Sequence, residues 1–593
     1  MLDLCVRGGT IVDGSGAAPY TGDVGIRDGV IVATGKVDEA ARRTIDADGG
    51  LVTPGFVDVH THYDGQVTWD DALEPSASNG ITTLVMGNCG VGFAPVRPGD
   101  ADALIDLMEG VEDIPGAALN VGMPWGEWES FADYLDLLAG RQYSLDIAAQ
   151  LAHGALRFYV MGERGAANED ATADDLAAMA EIVRQALDAG AVGVSTSRTI
   201  GHRARSGRPV PGTFASSDEL LAIAEAMRSA GHGVFEAITA GTIGTLEALG
   251  GEHTKPLDEL PHLAAVSRAS GRPVTFTLVQ IFEDTDHWRL VLDAAAAENA
   301  STDGGRCQLR PQVIPRSVTV MTSLDAYHLF SDRPTYQKLA DLPLAERVAQ
   351  LRRAEVRDAI LAEDDASSRV SDLTGALVQL FERALPVTFP LTVNPATGGV
   401  DYEPGLDQSV FAQAMLQGKD PVAHMYDLLL EDEGRAFYGI FGSNFVGGNL
   451  DVCRDMLESP HTVTGLSDAG AHVNLISDCS ASTFHLTHWA RDRSRDRLPI
   501  ETVVAKLTRG NAALYGFDDR GLIAEGKRAD LNVIDFDNLT IRPPELRHDL
   551  PTGVSRILQA AEGYVATVVA GTPTREHDTD TGERPGRLVR GKA

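Results

Sequence analysis

Cysteine is scarce in this chain. Five stand among 593 residues (Cys5, Cys89, Cys307, Cys453, Cys479), an odd number with no CxxC spacing. That excludes a disulfide scaffold and fits a reducing compartment, where each thiol is judged alone. Basic residues are also few, 50 Lys and Arg against 85 Asp and Glu, for a net charge of -35. Nucleic acid and anionic membrane are thereby excluded as main partners, because phosphate binding depends on clustered Lys and Arg. No uninterrupted apolar run approaches the roughly 18 residues of a membrane span. The opening Met1-Leu2-Asp3-Leu4-Cys5-Val6-Arg7 lacks the basic and apolar regions of a secretion signal, so the expected location is the cytoplasm. Low-complexity tracts and a solenoid period are missing too.

What is present is a globular composition, 43% apolar, in a chain long enough to divide into one large catalytic-size domain and at least one smaller one. Residues 1–53 carry short β runs broken by Asp13-Gly14 and Asp28-Gly29 turns, the pattern of a small antiparallel sheet. After Pro54, β runs alternate with Ala-rich helical stretches: 82–86, 145–152, 191–196, 233–238 and 273–279, with helices near 173–189 and 217–230. Such alternation over several hundred residues predicts a parallel α/β barrel. The helix at Ser217 is well marked, since Ser216 or Ser217 can cap it and Asp218 and Glu219 fall in its first turn. Residues 283–430 are less regular and predict an insertion or lid. β character returns at 530–534 and 564–572, and a polar, charge-rich tail from Arg575 to Ala593 reads as mobile. The predicted organisation is therefore residues 1–53 and 516–593 as the two halves of a β-sandwich, with a (β/α)8 barrel over 54–515.

Chemistry concentrates first in Gly55-Phe56-Val57-Asp58-Val59-His60-Thr61-His62. Side chains alternate faces along a strand, so His60 and His62 project together and can reach one ion. An ordinary polar pair has the same spacing, but here the apolar run predicts a buried strand, where unpartnered imidazoles are costly. Glu236 poses the same question within Val234-Phe235-Glu236-Ala237-Ile238: a carboxylate there needs a metal, a catalytic role or an arginine. His153 follows an apolar strand and reads equally as a pocket residue or a satisfied core histidine. The loop from Arg198 to Arg205, with His202, can recognise a substrate carboxylate or simply be solvated. Asp468 and His472, in Ser467-Asp468-Ala469-Gly470-Ala471-His472, have a turn or helix-start reading beside the functional one.

Taken together, the His60-x-His62 strand, Gly87-Asn88-Cys89-Gly90, His153-Gly154-Ala155-Leu156-Arg157, Val160-Met161-Gly162, Val210-Pro211-Gly212-Thr213-Phe214-Ala215 and Ser467-Asp468-Ala469-Gly470-Ala471-His472 resemble the amidohydrolase superfamily. Within it they resemble the N-acyl-D-amino-acid deacylase branch, and the resemblance spans nearly the whole chain. It implies that His60 and His62 bind a metal, and that Cys89 is a ligand in the bridging place a carboxylated lysine holds in other amidohydrolases. It also implies that Asp468, at the end of the last barrel strand, touches metal and moves the proton of the attacking water. Zinc, as one or two ions, is the implied cofactor. Beside these, His153, Arg198, His202 and His472 are the candidate substrate contacts on their own placement, and the resemblance does not make His153 a metal ligand.

The chain departs from that branch in one respect. The family's fifth and sixth strands each bring a histidine to metal; here the corresponding runs 233–239 and 273–280 contain none. Glu236 and Gln280 are the oxygen donors available instead, or the site holds a single ion. The family's substrate-binding lysine and tyrosine are not found in matching places. The expected function is metal-dependent hydrolysis of a C–N amide bond in a small molecule, most readily an N-acyl-(D-)amino acid. A cyclic amide or imide hydrolase of hydantoinase type and a non-catalytic scaffold of the same fold are the alternatives, and a homo-oligomer is left open.

Overall fold

A computed structural model describes residues 1–301, 304–366 and 373–592. The two ends of the chain meet in one nine-stranded sheet. Its hinge is the pairing of Leu51–Pro54, antiparallel, with Leu531–Ile534, the register running from Leu51 opposite Ile534 to Pro54 opposite Leu531. The N-terminal strands extend the sheet on one side and Tyr564–Val569 and Thr572–Glu576 on the other. One face is packed with Leu4, Val24, Ile26, Val52, Leu531, Val533, Ala566 and Val568, so burial of this seam joins residues more than 470 positions apart.

Between these ends lie two parallel sheets. Phe56–Thr61, Ile81–Met86 and Asp146–Ala149 form the first; Leu151–Ala152, Gly193–Ser197, Val234–Ile238, Val274–Thr277, Leu309–Val313 and Val463–Thr464 follow in order in the second. Their strands are buried along their length, apart from the partly exposed Arg310, as sheets covered on both faces require. A parallel bridge from Thr61 to Ala469 links the first strand to the segment after the last. The helix Ser217–Ala230 begins where its signals place it, with the Ser216 hydroxyl accepting from the Glu219 N–H at 3.3 Å.

The irregular segment lies later than its composition predicts. The helix His287–Ala300 and strand Leu309–Val313 continue the strand-helix alternation, so the excursion runs from 314 to 462 rather than from 283 to 430. Leu309-Arg310-Pro311-Gln312-Val313 carries three residues that are poor strand formers or polar, and this hides it in the sequence. The excursion has its own antiparallel sheet of Thr319–Thr322, Tyr438–Phe441 and Thr388–Pro390, with a separate apolar core including Phe330, Tyr336, Val348, Leu351 and Phe381.

The tail is also ordered differently from the expectation of mobility. The two parallel sheets part at Gln150, between Ala149 and Leu151, and residues 586–591 run in along that seam. Gly586 exchanges backbone bonds with Tyr143 at 2.8 and 3.1 Å, Ile147 donates to Arg587 at 3.1 Å and accepts from Val589 at 2.7 Å, and Gly591 donates to Gly190 at 2.9 Å. Backbone pairing does not depend on apolar side chains, so a polar segment can do it. Each bond contributes about 0.5–1.5 kcal/mol net. Truncation after residue 584 is expected to lower the thermal midpoint and to speed hydrogen exchange of the Tyr143 and Ile147 amides; unchanged exchange there would show that the seam closes without the tail.

Candidate metal centre and its cavity

All the chemistry-bearing residues that converge do so at the carboxyl ends of the parallel strands, where α/β sheets place their sites. His60 lies on the strand Phe56–Thr61 and His62 just beyond it, each 1% exposed. Cys89 follows the second strand in a tight turn with φ 56°, between Gly87 at φ 82° and Gly90 at φ 69°. A Cβ at Gly90 would sit 2.6 Å from the Ser197 nitrogen, so this glycine lets the loop press against the fourth strand and points the thiol inward. Asp468, at φ 47°, and His472, at φ 49°, leave the last strand in a similarly strained turn; non-glycine residues held there are concentrated at functional sites.

Ligand atoms of His60, His62 and Cys89 lie within 4.8 Å of one another. His60 Nε2 is 3.3 Å from Cys89 Sγ, and Asp468 Oδ1 is 3.2 Å from His60 Nε2 and 3.8 Å from His62 Nε2. Two imidazoles, a thiol and a carboxylate form a donor set suited to zinc. The fit can be judged from unsatisfied atoms: both ring nitrogens of His62, Glu112 Oε1 and Glu236 Oε1 are buried without a hydrogen bond. Buried polar atoms left in that state are costly unless another partner is supplied.

Two further residues orient the histidines. Gln312 Oε1, from the seventh strand, lies 2.8 Å from His60 Nδ1, which makes Nδ1 the protonated nitrogen and leaves Nε2 free as a ligand. Glu112, the last residue of the helix Ala101–Glu112, brings Oε1 to 3.3 Å from His62 Nδ1 and Oε2 to 3.6 Å from His472 Nε2; the first contact is close but not aligned as a hydrogen bond. The His472 N–H donates to the Glu112 carbonyl, and this fastens the helix end to the Asp468 turn. Sequence reasoning missed both residues. Gln312 carries the signal used for Glu236, a polar side chain inside a buried strand; Glu112 at a helix exit carries none.

Glu236 does not join the three-residue ligand group. Its Oε2 accepts the Cys89 N–H at 3.0 Å, so it holds the cysteine turn while Oε1 stays free. Gln280 donates from Nε2 to the Thr285 carbonyl at 3.0 Å and turns away from the cluster. His202 lines the cavity, its Nδ1 3.1 Å from the Ser197 hydroxyl. His153 and Arg198 are not in the cavity. His153 is held between Thr196 at 2.9 Å and Glu219 at 2.8 Å; Arg198 is paired with Glu259 and donates to the Ala215 carbonyl at 3.0 Å. Both read as site residues because they follow barrel strands, yet partners on neighbouring helices and loops engage their polar atoms.

Burial governs the charge state. It pulls His60 and His472 down to about 4 and His202 to about 3, leaving neutral imidazoles at pH 7. It pushes Asp468 up to about 7 and Glu236 to about 8, and Glu112 well above the usual carboxylate range. The Cys89 thiol is raised by burial first and then by the Glu236, Glu112 and Asp468 carboxyls. A divalent cation reverses each of these preferences for the acids and the thiol. The centre opens into a cavity of about 540 Å³ roofed by the excursion.

Comparison with known proteins gives the family. The amidohydrolase family pattern matches residues 43–575, and the chain belongs to that family, hydrolases acting on carbon–nitrogen bonds. It is 25% identical over 598 residues to the D-aminoacylase of Alcaligenes xylosoxydans xylosoxydans, covering 99% of this chain and 97% of that protein. To the N-acyl-D-aspartate deacylase of the same organism it is 26% identical, covering 99% and 95%. The fold is similar to that of the N-acyl-D-glutamate deacylase of Bordetella bronchiseptica, solved with zinc and a phosphonate mimic of the tetrahedral intermediate, at a TM-score of 0.62 and 22% identity over the full length of both chains. The expected likeness to the D-aminoacylase branch is thus borne out.

Carboxylates behind metal-bound histidines typically contribute ten- to a hundredfold in metal affinity. Glu112→Gln is expected to weaken zinc binding by about that factor in competition with a chromophoric chelator; an unchanged affinity would reduce Glu112 to a packing residue.

Proposed function

We propose that this chain removes the acyl group from an N-acyl amino acid, of D configuration, with zinc held by His60, His62, Cys89 and Asp468. In this reading the two parallel sheets close as one (β/α)8 barrel and the nine-stranded sheet is its composite β domain, with Asp146–Ala149 and Leu151–Ala152 as halves of the third barrel strand. The observation that carries it is the gathering of two imidazoles, a thiol and a carboxyl at the strand ends beneath a closed-over cavity. The full-length likeness to D-amino-acid deacylases supports the substrate class. One ion fits better than two, because the fifth and sixth strands offer Glu236, committed to the Cys89 N–H, and no imidazole.

Zinc in this place supplies Lewis acidity that polarises the amide carbonyl and makes water acidic near neutral pH. The protein does the rest. Asp468 is the proton carrier: its side chain keeps 17% of its surface open to the cavity, within reach of an entering water. A carboxylate beside that water can take its proton and return it to the leaving nitrogen, which must depart as an amine rather than an amide ion. His202 and His472, neutral and facing the cavity, are hydrogen-bonding groups for the substrate amide. Arg383, the only Lys or Arg lining the cavity, has no carboxylate partner among the described residues. It is the group that receives the carboxylate of the amino acid.

Metal analysis and a panel of N-acyl-D-amino acids, their L isomers and cyclic imides test the reading on the purified protein. Zinc near one equivalent and cleavage of the D series are expected; a metal-free protein, or activity on imides alone, would overturn it. Asp468→Asn is expected to keep most of its zinc and to lose about 10²- to 10⁴-fold in kcat. Arg383→Met is expected to raise KM by roughly tenfold or more with a smaller change in kcat, as loss of a charge-assisted contact made equally in substrate and transition state requires.

A further inference from the structure

The cavity has two ends of different chemistry. His60, His62, Cys89, Glu112, Asp468 and His472 lie in mutual contact at one. Away from them the lining is mainly apolar, contributed by the loops after the fifth and sixth strands and by the excursion, with Ile243, Ile281, Phe282, Val318, Leu377 and Leu380 on it and Glu283 and Arg383 as its charged members. A space of about 540 Å³ equals roughly 18 waters at about 30 Å³ each. An acetyl group would leave most of it wet against apolar walls. Two of the large apolar side chains are left open to water, Phe282 at 43% and Leu380 at 47% exposure. Water against such walls is unfavourable, and a chain that displaces it gains in proportion to the apolar area covered.

Resting on the deacylase reading, we propose that this chamber is the binding site for a medium- or long-chain fatty acyl group, so that the substrates are amino acids carrying such a chain on nitrogen. The occupant must be continuous with the scissile carbonyl, because the chamber opens directly onto the metal-binding end. The acyl chain fits it better than the amino-acid side chain, since the space exceeds any single side chain and Arg383, the one Lys or Arg among the described residues of the wall, answers to the carboxylate.

The test has two arms on the zinc-loaded full chain. In the first, acetate, hexanoate and decanoate, kept below micellar concentration, are titrated by calorimetry. In the second, kcat/KM is measured for racemic N-acetyl-, N-hexanoyl- and N-decanoyl-leucine. Each methylene fully buried is worth up to about fourfold in affinity, the equivalent of ~0.8 kcal/mol. Affinity and kcat/KM are therefore expected to rise at least tenfold from two to six carbons and again to ten. The double variant Phe282→Ser, Leu380→Ser, at exposed positions, is expected to narrow the decanoyl-to-acetyl ratio. Equal binding of acetate and decanoate, or a chain-length gain that the double variant leaves intact, would overturn the inference. Tighter binding of decanoate with no cleavage of any acyl-leucine would instead overturn the deacylase reading and leave the chamber as a fatty-acyl site.

Discussion

A small volume of protein here encloses more acid than it can ionise. Asp58, Asp64, Glu112 and Glu236 are buried, and Asp468 largely so, within a few residues or a few ångströms of His60 and His62, and desolvation pushes every one of them upward, Asp58 to about 6 and Asp64 to about 7. Without a counter-charge Glu112 and Glu236 hold protons at pH 7 and the ionised forms of the others are disfavoured. With a divalent cation at the His60, His62 and Cys89 atoms they become its anionic surroundings. Much of the local architecture follows from keeping that arrangement: Ser467 donates to Asp58 at 2.5 Å, the Gly87 N–H to Asp64 at 3.1 Å, and the Cys89 N–H to Glu236 at 3.0 Å. Asp58, Asp64 and Glu236 are each anchored by a group that follows another strand, so the carboxyl ends of the parallel strands are held together by the same residues that need the ion.

The excursion of residues 314–462 adds what the strands cannot. Its antiparallel sheet and the helix Leu373–Val378 contribute apolar walls and Arg383, while its separate apolar core lets it fold as a cap rather than as a loose loop. Tyr327 donates to Asp113 at 3.0 Å, next to Glu112, so the cap is tied to the helix end that orients His62. Roof and centre are therefore mechanically joined, the centre carrying most of the polar groups and the roof Arg383.

The sequence was most readable where a pattern has a single physical cause. Period-two spacing in an apolar strand put His60 and His62 on one face, whereas Cys89 was singled out by the resemblance of Gly87-Asn88-Cys89-Gly90, and its turn shows only in the fold. Glu236 stood out because a carboxylate in a buried strand demands a partner, and its partner proved to be a backbone N–H rather than an arginine. Less could be read where the cause lies elsewhere in the chain. Glu112 matters only because a helix exit meets a loop more than 350 residues later. His153 and Arg198 look like site residues until Glu219 and Glu259 arrive from other helices. The strand at 309–313 is disguised by Arg310 and Pro311, which displaced the boundary of the excursion, and the tail pairs through backbone groups that composition does not report.

The tail at the seam between Ala149 and Leu151 bears on how the chain acquires its shape. The strands Asp146–Ala149 and Leu151–Ala152 are adjacent in sequence, yet the bonds that fill the space beside them come from residues 586–591, and one edge of Leu51–Pro54 waits for Leu531–Ile534. Contacts of such long sequence separation carry a high loop-closure cost and form late. During synthesis the first parallel strands therefore emerge with an open seam and with one edge of Leu51–Pro54 unpaired, its other edge lying against Leu2–Ile11, and both are sealed by segments made near the end. Folding of this protein is a closing of two ends onto a waiting middle, and the nascent middle is the stage at which its unpaired strand edges are exposed to other chains.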